Sequence, residues 1–277
     1  MARPEGKAPS SPPLAPDKAR TRRRLVTAIL ALAGMASLAG NVLGVRFSRS
    51  YYRREQSVRL DPLGLRWYAP VRAAASASAS ARPAKPVLAM FGDSRIQMWT
   101  APAGLDDWEL VNLGVGDQTT PQALLRFDFD VPPLRPTAVL FELGVNDLKN
   151  VPTFPERRDQ IVADCKSNLA RLTEKARALG AIVIIATVFD LGDVPLYRRP
   201  FWSSSLVSSA VDEVNAFVRT LARDGVVVFE AGPVLDETPG RVRPSYQLDH
   251  LHLEPLGYAA LNEKLVPLVR SLPGAKR

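Results

Sequence analysis

Three polar side chains have the types and the setting for nucleophilic acyl chemistry. Ser94 closes an apolar run, Val87-Leu88-Ala89-Met90-Phe91-Gly92-Asp93-Ser94, and the only two histidines, His250 and His252, share one short stretch, Leu248-Asp249-His250-Leu251-His252. A strand ending in a tight Gly-Asp-Ser turn presents a hydroxyl at its carboxyl end, the edge where open α/β sheets bind ligands. A serine hydroxyl is a weak nucleophile until a base takes its proton, so a histidine is the partner this chemistry requires. Asp249, three residues before His252, is placed to fix the imidazole's tautomer, which completes a set recognised by roles rather than by chain position. His250, only two residues from His252, is expected to point elsewhere.

An attacked carbonyl also needs donors for its developing charge. The segment Asn112-Leu113-Gly114-Val115-Gly116-Asp117-Gln118-Thr119-Thr120 follows a short apolar run, Glu109 to Leu113. Its glycines, Gly114 and Gly116, would let backbone N–H groups face an acyl oxygen. Phe141-Glu142-Leu143-Gly144-Val145-Asn146-Asp147 closes the run Ala138 to Leu143 and puts the Asn146 amide at that strand's end. Backbone donors plus a side-chain amide make an oxyanion hole. Alone, each segment has a plainer reading, since Gly-Asp-Ser is usually a turn and Asn-Asp often caps one.

The four segments, in this order, resemble the blocks of the SGNH hydrolases, also called the GDSL esterases and lipases. The resemblance runs from about Pro86 to the C-terminus, and Asn112 to Arg126 and Asp249 to Tyr258 are most similar to the catalytic subunits of intracellular platelet-activating-factor acetylhydrolase and their bacterial relatives. It implies Ser94, Asp249 and His252 as catalytic residues. It also implies an oxyanion hole made by the N–H groups of Ser94 and Asp117 with the Asn146 amide, with Gly114 and Gly116 as the supporting turn. The fold implied is a five-stranded parallel, flavodoxin-like α/β/α sandwich, the substrate a short, acetyl-like ester, and no cofactor is needed. Two positions depart from the pattern. Asp117 stands where most of the family has glycine, and a carboxylate there opposes a developing negative charge unless it turns away. Arg95 replaces the eponymous leucine, a change common in the acetylhydrolase-like branch.

Composition excludes other chemistries. No Cys and His cluster has metal-ligand spacing, and no phosphate-loop or dinucleotide glycine signature is present. The single cysteine, Cys165, excludes an internal disulfide and reads as a small buried hydrophobe on a predicted helix face. The length of 277 residues allows one domain of about 190 residues with a full core, plus extra segments. The net charge of +8 is unevenly placed: residues 1–72 hold 14 Lys and Arg against 4 Asp and Glu, residues 73–277 hold 22 against 24. The catalytic part is nearly neutral, so nucleic acid is not an expected partner.

The excess of positive charge brackets Leu25 to Val45, 21 residues without a charge. That length can cross a bilayer, and Arg22-Arg23-Arg24 would hold the N-terminus in the cytoplasm. The organisation expected is a disordered basic tail (1–24), a signal-anchor (25–45), a juxtamembrane segment with Tyr51, Tyr52, Trp67 and Tyr68 followed by an Ala/Ser linker (46–85), and a hydrolase domain (86–277) outside the cytoplasm. Alternatives stay open: Ser37-Leu38-Ala39 could be a cleavage site, and Thr21-Arg22-Arg23-Arg24-Leu25 resembles a twin-arginine export signal. A buried core helix is disfavoured because no amphipathic stripe is visible.

Within the domain, strands are expected at Val87 to Phe91, Leu110 to Leu113, Ala138 to Leu143, Ile182 to Val188 and Val226 to Phe229. Ile161, Cys165, Leu169, Leu172, Ala176 and Leu179 mark one helix face, and Leu206, Ala210, Val214, Phe217 and Leu221 another; a last helix runs from about Pro255 to Leu272. Strand and helix in alternation mean a parallel sheet covered on both faces. The reading is a membrane-anchored serine esterase acting on a small ester or an acylated saccharide or lipid. Its rivals are an O-acetyltransferase or deacetylase working on an envelope polysaccharide, and a catalytically silent binding module, which Asp117 alone favours.

Overall fold

The computed structural model describes residues 18–62, 84–199, 201–202 and 204–273. The chain divides into two units, one ending at Leu60 and one starting at Asp61. In the first, a single helix, α1 (Lys18–Leu60), carries the uncharged stretch and is long and apolar enough to cross a membrane. Its 21 uncharged residues rise roughly 30 Å, the thickness of a bilayer's hydrocarbon core. The helix also takes in residues 18–24, assigned above to the tail, because nothing between Lys18 and Leu25 breaks a helix. The tail up to residue 17 and the Trp67, Tyr68 and Ala/Ser stretch lie outside the described residues.

The second unit is built on five short apolar runs. They form β1 (Val87–Gly92), β2 (Glu109–Gly114), β3 (Ala138–Glu142), β4 (Ile182–Ala186) and β5 (Val226–Phe229). All neighbours pair in parallel, in the order β2-β1-β3-β4-β5. The chain therefore leaves β1 for one edge and returns to β1's other side at β3. Diverging connections open a crevice at the carboxyl ends of β1 and β3, the place where such sheets bind ligands.

Side chains of period two send each strand into both layers. Val87, Ala89 and Phe91 of β1 join one core with Val139 and Phe141, while Leu88 and Met90 join the other with Leu140 and Ile184. The first core is covered by α3 (Thr120–Asp130), α5 (Arg158–Ala178) and α6 (Ser204–Thr220), the second by α8 (Pro255–Arg270). Short helices α2 (Ser94–Gln97), α4 (Val145–Leu148) and α7 (Gly232–Leu235) follow β1, β3 and β5. Cys165 is fully buried in α5, and burial pushes its thiol well above the usual range.

Helix α3 escapes a periodicity search for a physical reason. Its Leu125 and Phe129 are 64% and 65% exposed while Ala123, Leu124 and Phe127 are buried, so apolar residues fall on both faces and no stripe stands out. The local signal is at its start, where Thr119 and Gln122 form a capping box.

Candidate active site

Ser94 is the first residue of α2, immediately beyond β1. The preceding Asp93 caps this turn by accepting the Arg95 N–H at 2.9 Å. The turn has no room to loosen: a Cβ on Gly114, at the end of β2, would lie 2.0 Å from the Gln97 backbone nitrogen. Gly114's own N–H goes to Asn112 Oδ1 at 2.9 Å, so this glycine serves close approach to α2 rather than an acyl oxygen.

His252 comes from a tight loop before α8 and meets the serine across 158 positions of sequence, with Nε2 2.9 Å from Ser94 Oγ. Its Nδ1 lies 3.1 and 3.0 Å from the two carboxylate oxygens of Asp249. An ionised carboxylate only accepts, so Nδ1 carries the proton and Nε2 is left to accept from the serine hydroxyl. Asp249 Oδ1 also accepts the N–H groups of Leu251 and His252 at 2.7 and 2.8 Å. Partial burial alone would raise the Asp249 pKa, but the bonds from His252 and the two backbone donors outweigh it, and the pKa lies below the ordinary carboxylate range. His250 faces away from this relay: Arg198 reaches its Nε2 at 3.2 Å, and its ring packs edge-on against Trp202. Since Arg can only donate, His250 is held as an acceptor, and burial lowers its pKa.

Arg95 explains why the histidine loop sits where it does. Its side chain is fully buried and donates to Leu251 O (3.2 Å) and Phe189 O (2.8 Å), with its guanidinium stacked over the Phe189 ring at 3.6 Å. The residue after Ser94 thus grips the residue before His252. A leucine could not do this, having no donor.

Arg95 also faces Glu142 Oε1 at 3.4 Å, in a fully buried pair. Burial, with Asp93 close by, pushes the Glu142 pKa up to about 8, and the nearby guanidinium only partly offsets this. The folded state therefore holds a proton that the unfolded chain releases near the ordinary pKa of about 4.3. Stability from this group is present below that pH and is lost as pH rises through about 8. The melting temperature should fall between pH 5 and pH 8, and Glu142→Gln should flatten that slope; equal slopes in the two proteins would refute the assignment.

The third wall of the site is the end of β3. Asn146, on α4, is 1% exposed and its Nδ2 donates to Gln118 O at 3.0 Å. Gln118 is held in turn by Arg126, whose Nε reaches Gln118 Oε1 at 2.6 Å while Nη2 donates to Gly92 O and Leu113 O at 2.9 and 2.8 Å. One buried guanidinium thus fixes the ends of β1 and β2 and the turn between β2 and α3. Asp147 accepts the N–H and hydroxyl of Thr120 at 2.9 and 2.7 Å, tying α4 to α3. Asp117 lies in that turn with φ 62°, the left-handed region that favours glycine. Its carboxylate is 64% exposed and points to Lys149 Nζ at 3.5 Å.

The structure therefore brings together Ser94, His252 and Asp249 in one relay and ties Asn146 to the turn of Asp117 through Gln118 and Lys149. Sequence reading missed Lys149, Gln118 and Arg126. Only Lys149 left a local trace, lying three residues after Asn146 on a helical turn.

A Ser, His and Asp relay at the carboxyl end of β1, with an amide at the end of β3, on a 2-1-3-4-5 sheet, is the arrangement of an SGNH-type hydrolase. The model of the GDSL-like Lipase/Acylhydrolase family matches residues 90–260, and the chain belongs to that family of ester hydrolases. Solved structures share the fold. A GDSL-like lipase from Bacteroides thetaiotaomicron is 21% identical, with a TM-score of 0.57 over 75% of this chain and 98% of that one. A Streptococcus pneumonia protein described as a candidate platelet activating factor is 18% identical, with a TM-score of 0.61 over 78% and 99% of the two chains. An acetyl xylan esterase is 18% identical, with a TM-score of 0.53 over 66% and 99%. None of the curated proteins matches the chain.

Proposed function

We propose that the protein is a membrane-anchored serine esterase that cleaves short-chain, acetyl-like esters. The observation that carries this reading is the continuous contact from Asp249 through His252 to Ser94 Oγ, at 3.0 and 2.9 Å. In the reaction, Ser94 Oγ bonds to the ester carbonyl carbon as His252 Nε2 takes the hydroxyl proton. The carbonyl oxygen becomes an oxyanion, held by the N–H groups of Ser94 and Asp117 and by the Asn146 amide. Collapse breaks the bond to the alcohol, which leaves with the proton returned by His252. Water, deprotonated by the same imidazole, then bonds to the acyl carbon; the acyl–Oγ bond breaks, the acid leaves, and His252 returns the proton to Ser94 Oγ. Asp249 keeps the imidazole in the required tautomer throughout.

The test is turnover of p-nitrophenyl esters of increasing chain length by the full-length protein in detergent. Rates should be highest for acetate and fall with longer chains. Asn146→Ala should lower kcat by about 10² to 10³ with little change in KM, because an oxyanion donor acts on the transition state. A variant that binds poorly but turns over normally would place Asn146 in substrate recognition instead.

The anchor reading rests on α1. Leu25, Leu30 and Leu38 are each more than 60% exposed, and none of the apolar stretch is buried among the described residues. Such a surface is at home in hydrocarbon. The full-length chain should resist alkaline carbonate extraction, and a C-terminal reporter active only after export should work. Release into the soluble fraction would exclude the anchor, and a shortened soluble product would indicate cleavage.

One observation favours a second reading, transfer or removal of acetyl groups on an envelope polysaccharide. A cavity of about 420 Å³ beside Asp249 and His250 is lined by Pro195, Tyr197, Arg198 and Leu248, an amphipathic wall suited to a sugar ring. Comparing acetyl transfer to an oligosaccharide with release of free acetate separates the two.

A further inference from the structure

Lys149 closes α4 one turn after Asn146, and its side chain is only 16% exposed. Its ammonium donates to Asn146 Oδ1, stands 3.5 Å from Asp117 Oδ1, and lies over the Trp202 ring at 5.5 Å from the centroid. An ammonium only donates, so the Asn146 atom facing it must be the carbonyl oxygen. The amide's other contact agrees, since Gln118 O can only accept and faces Nδ2. Two independent partners thus impose one orientation of the amide, with its NH2 toward Gln118 O in the turn that carries Asp117. The same ammonium faces the carboxylate at the position where the family has glycine.

We propose that Lys149 is a positioning residue of the oxyanion hole: it locks the Asn146 amide with its donor end toward the acyl oxygen and offsets the negative charge of Asp117. The inference rests on the serine-esterase reading above. It explains how a carboxylate is accommodated beside a developing anion. Asp117 adopts the left-handed backbone, and its side chain turns outward to a cation. The pair brings a negative and a positive charge to the turn together, so the field at the acyl oxygen stays close to that of an uncharged glycine turn. It also gives the buried Asn146 carbonyl a charge-assisted partner, without which that oxygen would lose its donor.

The experiment is steady-state hydrolysis of p-nitrophenyl acetate by full-length protein in detergent, with melting temperatures recorded for every variant. Lys149→Met should lower kcat by about tenfold while KM stays within about twofold, since Lys149 acts through Asn146 and not on the substrate. The loss is smaller than for Asn146→Ala because Gln118 O still holds Nδ2. Lys149→Arg should recover most of the lost turnover. Asp117→Asn should raise kcat by a larger factor in the Lys149→Met background than in the wild type, because only there has the carboxylate lost the Lys149 ammonium; the cycle isolates that coupling. An unchanged kcat in Lys149→Met, a loss confined to KM, or an equal effect of Asp117→Asn in both backgrounds would overturn the proposal. Should Lys149→Met melt far below the wild type, Lys149→Gln, which keeps a donor to Asn146 but lacks the charge, gives the readout: an intermediate kcat supports the proposal and a wild-type kcat refutes it. Ser94→Ala in the same assay separates the two levels. If it remains active, the serine-esterase reading has failed; if it is inactive while Lys149→Met is as fast as wild type, only the role of Lys149 has.

Discussion

Ser94→Ala should remove both ester turnover and covalent labelling by a fluorophosphonate probe. The expected loss in kcat is about 10⁴ to 10⁶, because in the proposed mechanism Ser94 forms the acyl intermediate and without it only binding and the oxyanion donors remain. The geometry makes the effect specific to this hydroxyl. Ser94 is 8% exposed, its Oγ sits 2.9 Å from a base, and its backbone is pinned by the Asp93 cap and by Gly114 packing on α2. The substitution removes one oxygen from a short turn held by its backbone bonds and by the Asp93, Asn112 and Tyr258 side chains, all of which remain, so the melting temperature should move little. Labelling that persists in the mutant would show that another nucleophile carries the reaction.

His252→Ala should cost nearly as much, whereas His250→Ala should stay within about tenfold of wild type. Two histidines only two residues apart give a sharp control, since they share one loop but not partners. His252 bridges Ser94 and Asp249; His250 bridges Arg198 and Trp202. The double variant Ser94→Ala with His252→Ala should be no slower than either single one, because the serine and its base act as a unit. Equal losses at the two histidines would mean that the loop's shape, rather than the imidazole of His252, is what matters.

The sequence was most informative wherever a feature is local. A β-strand repeats every two residues, and each of the five strands was placed within two residues of where it lies. The largest discrepancy is at the end of β4, where the apolar run Thr187 to Val188 continues beyond the last ladder pair, Ala186 with Phe229. There the chain leaves the sheet but stays buried, with Val188 N donating to Asn215 Oδ1, so hydrophobicity alone could not mark the strand's end. Helices α5, α6 and α8 were legible because each buries one continuous stripe. Leu179 and Leu206, at the stripe ends, are nevertheless 42% and 44% exposed, for a terminal turn has nothing beyond it to pack against.

The amino-acid sequence by itself determined the order of the five strands and of helices α5, α6 and α8, the Ser94 turn, the Asp249 and His252 spacing, and the uncharged stretch that forms the middle of α1. Each depends on residues within a few turns of one another, where spacing dictates which side chains share a face. Only the tertiary structure decided which distant groups would meet: Arg95 with Leu251 O, Arg126 with Gly92 O, Asp147 with Thr120, and Asn146 with Gln118 O. These are long or polar side chains taken out of water, and a buried polar atom must find a partner wherever the packed chain supplies one. Its choice is set by proximity in the folded sheet and its loops, which a position in sequence does not encode.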